Sequence, residues 1–158
     1  MYAYARMAIQ ESAQDAETLA LVKEFFARQI PFNNLLGMEV DTLAPGFARV
    51  RIPFRAEFVG DPFRPALHGG VLAALLDATG GATVWTGLSM ADRVSTIDLR
   101  VDYLRPGRLE PVVAEGRIRR AGNRVGVAQV VAFHPSAPDD HIAEAMAVYS
   151  IRREGDAR

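Results

Sequence analysis

Between Gly69 and Ala91 this 158-residue chain carries one ionisable side chain, Asp77. It lies within LHGGVLAALLDATGGATVWTG, residues 67–87, a composition that predicts a buried helix entered through a His-Gly-Gly turn. The helical neighbours of Asp77 at three, four and seven residues are Gly70, Ala73, Ala74, Gly80, Gly81 and Val84, and none can pair with a carboxylate. Thr79 and Thr83 fall on adjacent faces. Each interior glycine costs a helix about 1 kcal/mol against alanine, so burial against the rest of the fold must hold this one. Asp77 then sits at a subunit seam or in a cleft, or else on the helix's one solvated stripe.

Gly69 and Gly70 stand at the helix start, where free N–H groups and the partial positive charge of the helix end favour an anionic oxygen. The pair either builds an oxyanion hole or only makes the sharp turn, and His68 either hydrogen-bonds at the site or is a satisfied structural residue. The helix rise adds a constraint. Gly69 and Asp77 are eight residues apart, roughly 12 Å along one axis at 1.5 Å per residue, so one chain cannot bring both to the same reacting carbonyl. If they cooperate, Gly69 N–H comes from one subunit and Asp77 from another, which predicts a two-fold dimer with two shared sites.

The rest of the chain reads as helix, two strands, the central helix, then four strands. Residues 1–11 carry no periodicity and are expected to be a frayed arm. From about Ser12, Leu19, Val22, Phe25, Phe26 and Ile30 recur at helical spacing, and Pro31 ends the pattern by disfavouring helical geometry at Ile30. Phe32-Asn33-Asn34, Leu35, Leu36 and Gly37 read as a turn-rich approach. Met38–Leu43 and Phe47–Phe54 are strands around a Pro45-Gly46 turn. Residues 55–67, RAEFVGDPFRPAL, show neither period and read as a functional loop. Beyond the helix, the strands are Val94–Leu104, Leu109–Arg120, Val125–Phe133 and His141–Arg152. Antiparallel hairpins around one helix imply an α+β fold, one domain over 1–158 with a sheet wrapped round the helix. Its core spans about 30–152, and the N-terminal helix about 12–30.

Composition removes several classes of function. The net charge of −1 excludes the broad positive field of a typical nucleic-acid binder, although Lys23 is the only lysine among the 18 basic residues. Without cysteine, thiolate nucleophiles, disulfides and Cys-ligated metals are excluded. The N-terminal MYAYARMAIQESAQDAE has no apolar run of signal-peptide length, and no stretch approaches about 20 apolar residues, so a soluble cytoplasmic protein is expected.

His68-Gly69-Gly70 with an aspartate nine residues after the histidine resembles the mark of hotdog-fold thioesterases of the PaaI-like (phenylacetate-degradation) superfamily. PFNNLLGMEV, LHGGVLAALLD, STIDLRVDYLRPGR and RAGNRV are similar to the bacterial branch of medium- and long-chain acyl-CoA thioesterases. The likeness covers about residues 30–152. It implies a hotdog fold and acyl-CoA hydrolysis, with Asp77 activating water or attacking the thioester carbon and the Gly69 N–H polarising the carbonyl. It implies no metal or cofactor, and a shared-site homodimer paired further into a tetramer. The family's water-positioning Ser or Thr maps to Thr96; strict alternation puts that residue opposite Ile97 and Leu99, so a bulge or twist is needed to aim it. Where the family often has Asn before the HGG, this chain has Asp61, a substrate-binding candidate whose charge would repel an oxyanion unless turned away or protonated.

For the CoA phosphates the candidates are Arg64, Arg105, Arg108, Arg119, Arg120 and Arg124, with the hairpin Arg119–Arg124 as a clamp. Phe25, Phe26, Phe32, Phe58, Phe63 and Trp85 are candidates for an acyl channel, with core packing as the other use of each. Three rival readings stand beside acyl-CoA hydrolysis: an aryl-CoA thioesterase, an acyl-thioester hydratase or dehydratase recruiting His68, and a non-catalytic acyl-CoA-binding hotdog protein.

Overall fold

The computed structural model describes residues 16–156, so the expected arm and the start of the N-terminal helix lie outside the described residues. The central helix, α3, runs Gly69–Trp85. Against it lies a sheet of strands β1 (Glu39–Ala44), β2 (Phe47–Ile52), β6 (Val112–Ala121), β7 (Val125–Phe133), β8 (Ala143–Arg152) and β5 (Arg93–Tyr103), in that spatial order and antiparallel throughout. This is the α+β arrangement expected, an antiparallel sheet packed on one long helix.

Alternation explains how closely the two layers meet. Ala48, Val50 and Ile52 of β2, Val112 and Ala114 of β6, Ala128, Val130 and Ala132 of β7, and Ala143, Ala145, Ala147, Tyr149 and Ile151 of β8 are buried beneath α3. Alanine recurs in every one of these rows, and short side chains let helix and sheet approach. At two crossings even alanine is too large: a Cβ on Gly116 would fall on the Thr83 hydroxyl, and one on Gly126 would lie 2.7 Å from Val84 Cγ1. The buried hydroxyls of α3 are satisfied locally, Thr79 and Thr83 each donating to the carbonyl four residues back at 2.7 Å. Thr86 donates to Thr83 O at 2.7 Å and accepts the Gly46 N–H at 2.9 Å, tying the β1–β2 turn to the helix end.

The N-terminal segment differs from expectation. Helix α1 (Ala16–Glu24) widens into a π-helical turn, Phe25–Gln29, and stops at Ile30 in extended geometry before Pro31. What read as a turn-rich approach is a second helix, α2 (Pro31–Leu36), with proline at its first position and Gly37 at φ 67° ending it. Asn33 and Asn34 are the reason the wide turn survives: their amides donate to Phe26 O at 3.0 Å and Arg28 O at 2.7 Å. Residues 55–67 also hold more structure than a loop, a 3₁₀ turn (Ala56–Phe58) followed by the two-stranded ribbon of β3 (Val59–Asp61) and β4 (Ala66–Leu67). Short paired segments of two and three residues carry too little alternation to show in sequence.

The chain end is strapped down by a nearly buried carboxylate. Asp92 accepts from Ser89 N and Glu154 N at 3.0 Å each and from Arg153 Nη1 at 2.9 Å. Burial raises its pKa, but the two N–H groups and the guanidinium outweigh that and leave it below the usual value of 3.8. A carboxyl with a depressed folded value contributes stability that is complete above its unfolded value and lost as pH falls through the folded one. Asp92→Asn should therefore lower stability at neutral pH by about 1–2 kcal/mol, and should lose less than the parent between about pH 5 and pH 3; denaturant melts across that range check both.

Candidate active site

The helix start is built by its own residues. His68 is extended (φ −65°, ψ 130°) and its Nδ1 accepts the Gly70 N–H at 2.9 Å, so the imidazole caps α3. A side chain on Gly70 would stand 2.9 Å from that nitrogen. The His68 N–H is held by Phe58 O at 2.8 Å, which sets the entry angle. Among the described residues no acceptor takes the Gly69 N–H, and the Gly69 carbonyl accepts the Tyr103 hydroxyl at 2.9 Å. An unpaired amide at the positive end of a helix is a competent oxyanion donor.

Two turns further on, Asp77 is half-buried and faces the sheet. Thr96 Oγ1 donates to its Oδ1 at 2.9 Å. The register of β5 against β8 slips between Thr96 and Asp98, leaving Ile97 as the extra residue; this bulge puts Thr96 and Val94 on the helix-facing side with Leu99 and Val101, the irregularity that strict alternation called for. Thr96 pairs across the ladder with Tyr149 of β8. The Tyr149 hydroxyl donates to Asp77 O at 2.7 Å and lies 3.3 Å from Asp77 Oδ1. Burial, then the adjoining carboxylate and the hydrogen bond to it, push the Tyr149 phenol well above its ordinary value, with the Gly81 N–H pulling the other way. Tyr149 therefore remains a proton donor at neutral pH. Sequence reasoning missed it, although a lone hydroxyl at the inward end of an alanine row on β8 was a usable signal.

Asp77 opens onto a cleft of ≈ 440 Å³ walled by Phe25, Phe26, Phe32 and Trp85, with Thr96 and Tyr149 beside the carboxylate. Trp85 meets Phe25 and Phe26 edge-on at 5.1 and 5.5 Å between centroids. The other two aromatic candidates lie elsewhere: Phe58 is buried in the core, and Phe63 is almost wholly exposed on its loop. Arg93, which the sequence did not single out, lines the same cleft.

The remaining candidates are not brought to Asp77. Asp61 accepts the Phe63 and Arg64 N–H groups at 2.9 and 3.1 Å and the Arg64 side chain at 3.3 Å; chiefly the Arg64 and then the Phe63 amide hold its carboxyl below the usual value. It is turned away into its own loop, charged, and Arg64 is turned with it. Arg105 is paired with Asp140, and Arg108 with Glu110. Arg119, Arg120 and Arg124 cluster at the exposed β6–β7 turn, beside the C-terminal end of α3, without a carboxylate partner among the described residues. His141 pairs with Glu144 at 2.9 Å.

Residues 65–137 match the model of the thioesterase superfamily. The medium/long-chain acyl-CoA thioesterase YigI of Escherichia coli is 38% identical over 149 residues, covering 85% of this chain and 94% of that protein. A putative esterase of Halobacterium salinarum is 33% identical, covering 80% of this chain and 85% of the relative. A crystal structure of a Shewanella oneidensis protein described as related to the thioesterase superfamily superposes with a TM-score of 0.78 at 36% identity, covering 85% of this chain and 95% of that one.

The capping role of His68 has a measurable consequence. His68→Ala leaves the Gly70 N–H without its acceptor and should lower stability by about 1 kcal/mol in denaturant melts, in line with the loss of other helix N-caps.

Proposed function

Since the chain belongs to the thioesterase superfamily and is a thioester hydrolase, we propose that its substrate is acyl-CoA of medium to long chain, cleaved to free acid and CoA. The observation that carries this reading is one carboxylate, Asp77, tethered by a hydroxyl and set in the wall of an aromatic cleft. The similarity to the Escherichia coli enzyme supports it. An acyl chain fits a cleft of this kind because Phe25, Phe26, Phe32 and Trp85 offer apolar surface and only a few polar groups converge at one point.

In the proposed reaction, the Oδ1 of Asp77 is fixed by Thr96 and its other oxygen acts on the thioester. As general base it takes a proton from water as the water oxygen bonds to the carbonyl carbon; the C–S bond then breaks and the proton passes to the departing CoA sulfur. As nucleophile the same oxygen attacks the carbon directly, expelling CoA and leaving an anhydride that water hydrolyses. Negative charge on the carbonyl oxygen is met by the Gly69 N–H. No metal or cofactor enters this scheme.

The amide comes from a second copy of the chain, because eight residues of continuous helix separate Gly69 from Asp77, roughly 12 Å. The edge strand β5, with Ile97 and Tyr103 exposed on it, is the surface offered to that copy, and the homodimer pairs again into a tetramer. Arg119, Arg120 and Arg124, without a carboxylate partner among the described residues, meet the phosphates of CoA.

Asp77→Asn should reduce turnover about 100-fold or more while the protein stays folded and oligomeric, a loss typical of removing an acid–base group; wild-type turnover would refute the assignment. Across acyl-CoAs from short to long, with phenylacetyl-CoA included, CoA release should be fastest for medium and long chains, and a maximum at phenylacetyl-CoA would transfer the reading to aryl thioesters.

A further inference from the structure

The hydroxyl of Tyr149 reaches the backbone of α3 in the middle of an unbroken helix. In an α-helix the Asp77 carbonyl accepts from the Gly81 N–H and keeps a second lone pair for another donor. The Tyr149 hydroxyl donates to that carbonyl at 2.7 Å. The hydroxyl also lies 3.3 Å from Asp77 Oδ1, the oxygen that Thr96 holds from the neighbouring strand. The backbone and the side chain of one residue are thus gripped by one phenol.

The surrounding sequence accommodates this. A Cβ at position 80 would land on the Tyr149 hydroxyl, so Gly80 is the gap through which it reaches the helix axis. Tyr149 is 2% exposed, and it follows Ala143, Ala145 and Ala147 on the inward face of β8. Filling volume there would not require a hydroxyl: phenylalanine has the same ring and leaves no polar atom to satisfy. Nor does the fold need the bond to close a helix end, since Asp77 is in the middle of α3.

We infer that Tyr149 is a positioning residue for Asp77, fixing its carbonyl and, with Thr96, the direction of its carboxylate into the cleft. This rests on the reading of Asp77 as the acting group in thioester hydrolysis. Without the phenol, the Asp77 carbonyl loses its side-chain donor and the carboxylate is left on Thr96 alone.

The test is Tyr149→Phe, alone and combined with Asp77→Asn, assayed by CoA release on the best acyl-CoA of the panel, with thermal melts of each variant. Expected is a fall in kcat of about tenfold or more for Tyr149→Phe, the size of losing a hydrogen bond to a charged group, with KM within about twofold. Added to Asp77→Asn, the same change should do nothing further, since its effect passes through Asp77. Gly80→Ala, which displaces the hydroxyl while keeping the tyrosine, should reproduce the kcat loss. Wild-type kcat in Tyr149→Phe, a loss confined to KM, or an undiminished loss on top of Asp77→Asn would each overturn the inference while leaving Asp77 in place. Wild-type turnover in Asp77→Asn alone would instead remove the reading beneath it.

Discussion

Everything at the site depends on how closely α3 lies on the sheet. Strand residues can hydrogen-bond a helix backbone only if the two layers approach nearer than ordinary core side chains permit. The alanine rows of β6, β7 and β8, and the absence of any side chain at Gly116 and Gly126, supply that approach. Shape is the constraint, because interiors are close-packed and one extra methyl at such a crossing must displace something. The same closeness brings Thr96 and Tyr149 within reach of Asp77.

That geometry also explains how a carboxylate persists in a helix otherwise made of apolar and small residues. Asp77 is half-buried, takes the Thr96 hydroxyl on its Oδ1 and has the Tyr149 hydroxyl 3.3 Å from the same oxygen, so among the described residues its charge is met by hydroxyls instead of a cation. A fixed cation beside it would tie up the oxygen that acts. Hydroxyl donors orient a carboxylate and leave one of its oxygens available. The N-terminal end of α3 follows a parallel logic, since the His68 cap satisfies Gly70 and, among the described residues, no acceptor takes the Gly69 N–H.

The N-terminal segment completes the cleft by an unusual route. A regular helix through Phe25 and Phe26 would advance 100° per residue; the π turn widens that path, and both rings meet Trp85 edge-on. Asn33 and Asn34 take up the carbonyls of Phe26 and Arg28. The aromatic wall is thus anchored by side-chain amides of the short helix that follows it, which joins the cleft's shape to the PFNN sequence.

The long strands, α3, its HGG entry and the isolation of Asp77 were legible in the sequence, because period two, period 3.6 and a lone charge among small residues are local patterns. Helix rise alone also separated Gly69 from Asp77. The bulge at Ile97 was needed on paper to aim Thr96, but its existence depends on how β5 registers against β8. Tyr149 is 72 residues from Asp77 in the chain, and no local pattern ties the two. Likewise the turning of Asp61 into its own loop, the gathering of four of six candidate aromatics, and the short helix α2 depend on contacts between distant segments or on caps too brief to stand out. Sequence by itself determined which residues could do chemistry and which faces had to be buried. Only the packed structure decided which hydroxyls reach the carboxylate, because hydrogen bonds act over about 3 Å and such distances are set by the packing of whole layers.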